Sequence, residues 1–188
     1  GKDRADYIGR VLAALPVLVM GCSGVVLTRG ESDVTSVFIA FTSAVLIWGW
    51  FELAFLAGVI TGPNTSPNPP GIGSKERFLR AWRAVAYAEL ALFLATLLIL
   101  AVSVNSVNKF ALWTCLVLFA ARISAKINVY LGVPYINEEF LPGPVRHLAH
   151  HFKTAPMNRF FPLSVTLLTA AAVCWAERAY AAPAGSGA

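Results

Sequence analysis

Five apolar runs separated by polar stretches set the plan of the chain: Val11–Thr28, Val34–Ile60, Trp82–Val104, Phe110–Leu131 and Phe160–Trp175. A helix needs about 20 apolar residues to cross a hydrocarbon layer of about 30 Å, and the runs cluster around that length. The pattern predicts an all-α fold, a polytopic integral membrane bundle of about five transmembrane helices. Pro16 lies near the start of the first run, with Gly21, Ser23 and Gly24 as small residues for close helix approach. Between the second and third runs, Thr61–Ser74 is rich in proline and glycine and reads as a loop, followed by a short basic lead-in at Lys75–Arg80. Gly132–Arg159 is too polar to cross. It is expected to lie at the cytoplasmic interface, with a short amphipathic helix near Val145–Phe152. No internal repeat is visible, so residues 1–188 form one transmembrane domain.

Composition sharpens this picture. Hydrophobic residues are 57% of the chain and charged residues 13%, too much apolar surface for a soluble domain of 188 residues. The net charge of +5 is not gathered in one run, which argues against nucleic acid as a partner and for membrane lipid. Cys22, Cys115 and Cys174 stand alone in apolar runs and suggest neither a disulfide nor a zinc site. The chain lacks an initiator Met and is expected to be a piece of a longer protein.

The basic residues predict an orientation. Lys2, Arg4, Arg10, Lys75, Arg77, Arg80, Arg83, Arg146, Lys153 and Arg159 fall on one side, with Arg122 and Lys126 toward the same end of the fourth run. Only Arg29, Lys109 and Arg178 fall on the other. The positive-inside bias makes the N-terminus cytoplasmic and places the C-terminus of this segment on the opposite side.

Four charges then lie inside the membrane. At 1.5 Å per residue, Glu52 is about 12 Å and Glu89 about 10 Å from the cytoplasmic ends of their runs, with Arg122 about 13 Å deep and Lys126 one turn shallower. Charges at such depth are costly and usually pair with one another. The fourth run continues past Asn128 into Gly132 and the polar motif Asn137-Glu138-Glu139-Phe140. A charged intramembrane cluster of Glu52, Glu89, Arg122, Lys126 and Asn128 is therefore expected, with Asn137, Glu138, Glu139 and Phe140 contacting a partner or ligand or capping the cluster. Two roles stay open for the cluster: a structural ion-pair network, or a site for a ligand, pigment group or metal.

Arg146-His147-Leu148-Ala149-His150-His151 spells H-x-x-H-H, a spacing found in membrane di-iron oxygenases. Those enzymes supply many imidazoles from several such boxes; this chain has three histidines in all. Solvated interfacial histidines are the plainer reading, and a carboxylate-rich iron or manganese site of Glu52, Glu89, Glu138 and His147 is the alternative. Trp48, Trp50, Phe51, Phe55, Trp82, Tyr87 and Tyr130 fit an interfacial aromatic belt, with pigment or isoprenoid contact as the other use. A transporter would need inverted repeats or broken helices, and neither is evident.

Four stretches together carry a resemblance: Ile47–Pro63 (IWGWFELAFLAGVITGP), Tyr87–Phe93 (YAELALF), Ala121–Pro142 (ARISAKINVYLGVPYINEEFLP) and Pro156–Thr166 (PMNRFFPLSVT). They resemble the PuhE family, photosynthetic complex assembly protein 2 of purple phototrophic bacteria, over about Thr35–Thr169. Where that family often has a polar residue before the first Glu and a His before the second, this chain has Phe51 and Ala88. The resemblance implies a role in building or maintaining the photosynthetic reaction centre and its core antenna. Reaction-centre or core antenna subunits are the implied partners, with contact to bacteriochlorophyll or carotenoid as the cofactor expectation. It implies no defined reaction. The rival class is a membrane metalloenzyme acting on a lipid-soluble pigment precursor.

Overall fold

The computed structural model describes residues 4–181, with side chains as far as Glu177; Lys2, the Arg178 side chain and residues 182–188 lie outside the described residues. The chain is all α, with no strand among the described residues. Its helices are α1 (Arg4–Ala13), α2 (Leu15–Leu27), α3 (Val34–Leu56), α4 (Ser74–Ser103), α5 (Phe110–Leu131) and α6 (Phe160–Ala181). Two 3-10 segments, Glu138–Phe140 and Gly143–His151, lie between α5 and α6. Counting α1 and α2 as one continuous stretch, five helices among the described residues are long and apolar enough to cross a membrane.

Sequence chemistry explains most boundaries. Pro16 sits in the first turn of α2 and cannot donate to the preceding turn, so the first span breaks at Ala14. The Val11 carbonyl near this break accepts from Trp50 Nε1 at 3.2 Å, which ties the first span to α3. Asp33 caps α3 by accepting from the N–H groups of Thr35 and Ser36 at 3.0 and 3.2 Å.

The second span ends earlier than its apolar run. Gly58 adopts φ +73, and the N–H of Val59 reaches the Ala54 carbonyl while that of Gly58 reaches Phe55. This pair of bonds is a Schellman stop, and a left-handed residue at its centre favours glycine. Val59 and Ile60 therefore leave the helix despite their hydrophobicity. The third span, by contrast, starts earlier than its apolar run. The basic lead-in is the first two turns of α4, whose 30 residues are longer than a bilayer needs, so its polar start projects.

The expected amphipathic helix near Val145–Phe152 is a 3-10 segment instead, Gly143–His151. Pro144 supplies no N–H, and nine residues are too few to sustain an isolated α-helix. The last helix runs on to Ala181, past the apolar run that ends at Trp175.

The bundle has two distinct ends. At one, the Arg29 carbonyl accepts from the N–H groups of Val107 and Asn108, and Asn108 Nδ2 donates to the Ser36 carbonyl at 3.1 Å. This joins the α2–α3 turn to the α4–α5 turn. At the other end meet the C-termini of α3 and α5, the start of α4 and α6, and the 3-10 segment. Here the chain after α5 pairs with residues further on: Val133 N–H donates to Lys153 and Ala155 N–H to Val133, each at 3.1 Å.

Packing rests on small side chains. A Cβ added at Gly21 would lie 2.8 Å from the Ser43 carbonyl, so α2 and α3 approach closely along a face with buried Ala40 and Ala44. Lipid is as apolar as leucine, so such close contact, not hydrophobicity, holds membrane helices together. Large apolar side chains such as Leu27 and Leu98 accordingly face outward.

Candidate functional site

Three helices bring four charges together near the second end. Arg122 on α5 donates from Nε to Glu89 Oε1 on α4 at 3.1 Å and from Nη1 to Glu52 Oε1 on α3. Lys126, one turn further along α5, donates to the same Glu89 oxygen. Positions 122 and 126 share a helix face, so one stripe of α5 supplies both cations. The side chain of Glu89 is 2% exposed and that of Arg122 9%, against 28% and 30% for Glu52 and Lys126. Glu89 and Arg122 therefore form the buried centre, and Glu52 and Lys126 the rim. Glu89 Oε2 and Arg122 Nη2 have no protein partner among the described residues.

Phe55 belongs to this site, and composition alone gave it only to the aromatic belt. Its ring lies 4.9 Å from the Arg122 guanidinium carbon and 4.7 Å from Lys126 Nζ, both in cation–π range. Phe55 is three residues beyond Glu52, on the same side of α3, and that spacing was the available signal. On its far side Phe55 packs with Ala84, Ala88, Val145 and Leu148, which couples the charges to the 3-10 segment. Val145 is fully buried.

An irregular strand of backbone that is neither helix nor β, residues 59–64, completes the enclosure. The Thr61 carbonyl accepts from the N–H groups of Tyr87 and Ala88 in mid-α4, at 3.1 and 3.3 Å. A Cβ at Gly62 would lie 2.8 Å from the Ala84 carbonyl carbon, so only glycine lets the strand approach α4 this closely. Non-helical backbone at membrane depth is tolerated where protein buries it, and Thr61 is buried.

Asn128 is not part of the charge cluster. Two residues past Lys126 it turns to another face of α5 and donates to Ser164 Oγ on α6 at 3.0 Å. Beside it Asn158, which sequence reasoning passed over, donates to the carbonyls of Asn128 and Gly132 at 3.2 and 2.7 Å and accepts from Phe161 N–H at 3.0 Å. One side chain thus closes the end of α5 and the start of α6. An Asn just ahead of an apolar run was a legible cap signal.

Asn137, Glu138, Glu139 and Phe140 do not cap the cluster. All four are exposed, Phe140 and nearby Tyr135 by 76% and 88%, and neither carboxylate joins an ion pair among the described residues. The mixed metal set of Glu52, Glu89, Glu138 and His147 is not assembled either. Cations occupy the first two carboxylates and Glu138 faces outward; among the described residues no group of three His, Cys, Asp or Glu could hold a metal.

His151 is buried, with Nε2 3.5 Å from Asn64 Nδ2, while the Asn68 side chain donates to the His150 carbonyl at 3.1 Å. These contacts fasten the 3-10 segment to the loop after α3. Burial, then the neighbouring His150, lowers the His151 pKa below 6.5, and burial lowers that of His147.

Fold and site together define a multi-pass α-helical membrane protein with a self-compensated ion-pair cluster near one end. The chain belongs to a family described as protein of unknown function (DUF3623), whose model matches residues 2–188. It is 47% identical over 178 residues to a Rhodobacter capsulatus protein named "uncharacterized 30.4 kDa protein in puhA 5′ region", a match covering 95% of this chain and 65% of that protein. The chain thus spans slightly less than two thirds of that relative. No solved structure is a significant match.

Proposed function

We propose that this chain is the membrane core of an assembly or accessory factor for the bacterial photosynthetic reaction centre and its core antenna. The carrying observation is the puhA 5′ location in the relative's name, puhA being a reaction-centre gene. The PuhE resemblance of four separate stretches points the same way. The factor works by binding protein, with room for pigment contact, at the cytoplasmic half of the inner membrane.

The geometry supports binding more than chemistry. Both buried-centre charges, Glu89 and Arg122, are engaged with one another. The exposed strip from Tyr135 to Phe140 pairs two large aromatic side chains with Glu138 and Glu139 at the mouth of the bundle. Aromatic residues are favoured at the centres of protein interfaces, which makes this strip the docking surface for a core-complex subunit.

Replacing the chromosomal gene with a Glu138→Ala/Glu139→Ala/Phe140→Ala variant should lower reaction-centre and core-antenna absorbance while the variant protein still accumulates. Normal absorbance in cells lacking the whole gene would refute the assembly role; normal absorbance in the triple variant alone would refute the strip. For orientation, reporter fusions at Pro67 and Ala149 should read cytoplasmic. A periplasmic signal at Pro67 would invert the assignment.

A further inference from the structure

A groove of about 530 Å³ runs beside the start of α4, walled by Pro63, Asn64, Glu76, Leu79, Arg80 and Arg83. We infer that this groove is a binding site for the headgroup of an anionic phospholipid. The inference does not depend on the assembly role and would stand without it.

Depth is the first argument. Arg83 is the last charged residue before the apolar stretch of α4, apart from the buried Glu89, which puts the groove at headgroup level. The second argument is the donor set. Arg83 is exposed and has no ion-pair partner among the described residues, while Arg80 uses Nε for Glu76 at 3.0 Å and keeps its terminal amino groups for a ligand. Guanidinium groups match phosphate oxygens in a fork geometry that an ammonium cannot reproduce.

The opposite wall is rigid. Asn64 donates from Nδ2 to the Arg80 carbonyl at 3.0 Å and from its backbone N–H to the Arg83 carbonyl at 3.5 Å, which holds the irregular strand against α4. The surface of α4 just below the groove separates a lipid from a free anion. Tyr87 and Leu90, four and seven residues deeper than Arg83 along the same face of α4, turn large side chains outward on the bilayer side of the groove. They are 54% and 51% exposed. A groove with two guanidinium groups and an exposed apolar face on its bilayer side fits an amphiphile, and basic pockets between membrane segments are known lipid headgroup sites.

The test is the thermal unfolding midpoint of the full chain in neutral detergent micelles, titrated with dioleoylphosphatidylglycerol, dioleoylphosphatidylcholine or inorganic phosphate. The anionic lipid should raise the midpoint, and the other two should not. Arg83→Gln should weaken that lipid's apparent affinity about fivefold, the weight of one cation near an anionic surface. Glu76→Gln, which releases Arg80, should strengthen it. Arg159→Gln, an equal charge loss outside the groove, should leave it within about twofold. Equal stabilisation by phosphatidylcholine, or equal loss in Arg159→Gln and Arg83→Gln, would overturn a dedicated site. Stabilisation by phosphate alone would reassign the groove to a free anion. If Arg83→Gln does not fold, unchanged affinity in Glu76→Gln overturns the inference.

Discussion

The two ends of the bundle solve the same problem by different means. At the Arg29 end, two short turns meet through Asn108, and α2 and α3 touch along glycine and alanine. Little protein is used there because every buried group is neutral. At the Arg122 end α3 stops short of its apolar run, α4 starts ahead of its own, and the irregular stretch after α3 and a 3-10 segment fold over the helix termini. The extra backbone encloses what the helices alone would leave facing lipid. Charge at membrane depth has to be paired and covered, whereas small neutral residues need only touch.

The largest expected effect tests the charged end. Glu89→Gln leaves Lys126 without a carboxylate and Arg122 with Glu52 alone, an excess of buried positive charge that should cost about 3–5 kcal/mol in unfolding by sodium dodecyl sulfate. Glu89→Gln combined with Arg122→Gln should recover part of this, as interacting groups do in a double-mutant cycle. Glu52→Gln should cost less than Glu89→Gln, because Glu52 is 28% exposed and Glu89 2%. Equal losses for both carboxylates would end the distinction between centre and rim.

Next come the close approaches. Gly62→Ala drives a Cβ into the backbone of Ala84 and should cost about 3 kcal/mol, the upper range of overpacking. Gly21→Ala at the neutral interface meets the Ile47 side chain and the Ser43 carbonyl, each at 2.8 Å, a less severe clash than at Gly62, and should cost nearer 1 kcal/mol. A reversal of that order would mean that the irregular strand is not fixed to α4.

Smaller still is the linker between α5 and α6. Asn158→Ala removes three hydrogen bonds and should cost about 2 kcal/mol. Asn158→Asp can still accept from Phe161 but cannot donate to Asn128 and Gly132, so an intermediate loss is expected. A loss as full as that of alanine would show that the acceptor bond contributes nothing.

The smallest effect is on pH. His151 has a folded pKa below 6.5, so the unfolded chain binds more protons and stability rises with pH. Its contribution is complete above about 6.5 and is lost as pH falls through the lower folded value. His151→Gln should flatten the stability profile below pH about 6.5. An unchanged profile would assign the dependence to other groups.

Much of this was legible in the chain. Long apolar runs leave one viable structure in lipid, since only a helix satisfies every backbone group within itself. The class of fold follows from that alone. Opposite charges on three runs at similar depth also pointed to pairing, because isolated charges in lipid are too costly. The capping Asn158 and the partner role of Phe55 had local signals in their spacing. Asn128 misled because depth says nothing about helix face: two residues turn a side chain through about 200°, from the cations to α6.

What the sequence determined by itself was therefore the all-α class, the number of long apolar helices and the need for charge compensation. These follow from hydrophobicity and from the cost of charge, which depend on residue type and not on neighbours. Only the tertiary structure decided that Arg122 bridges both carboxylates and that Asn128 turns to Ser164. It alone set Thr61 against α4, and it left Glu138 and Glu139 facing outward. Those outcomes depend on which helix faces meet and where an irregular strand can approach a backbone. Directional hydrogen bonds and close packing set that geometry, and neither is encoded in the pattern of apolar and polar positions.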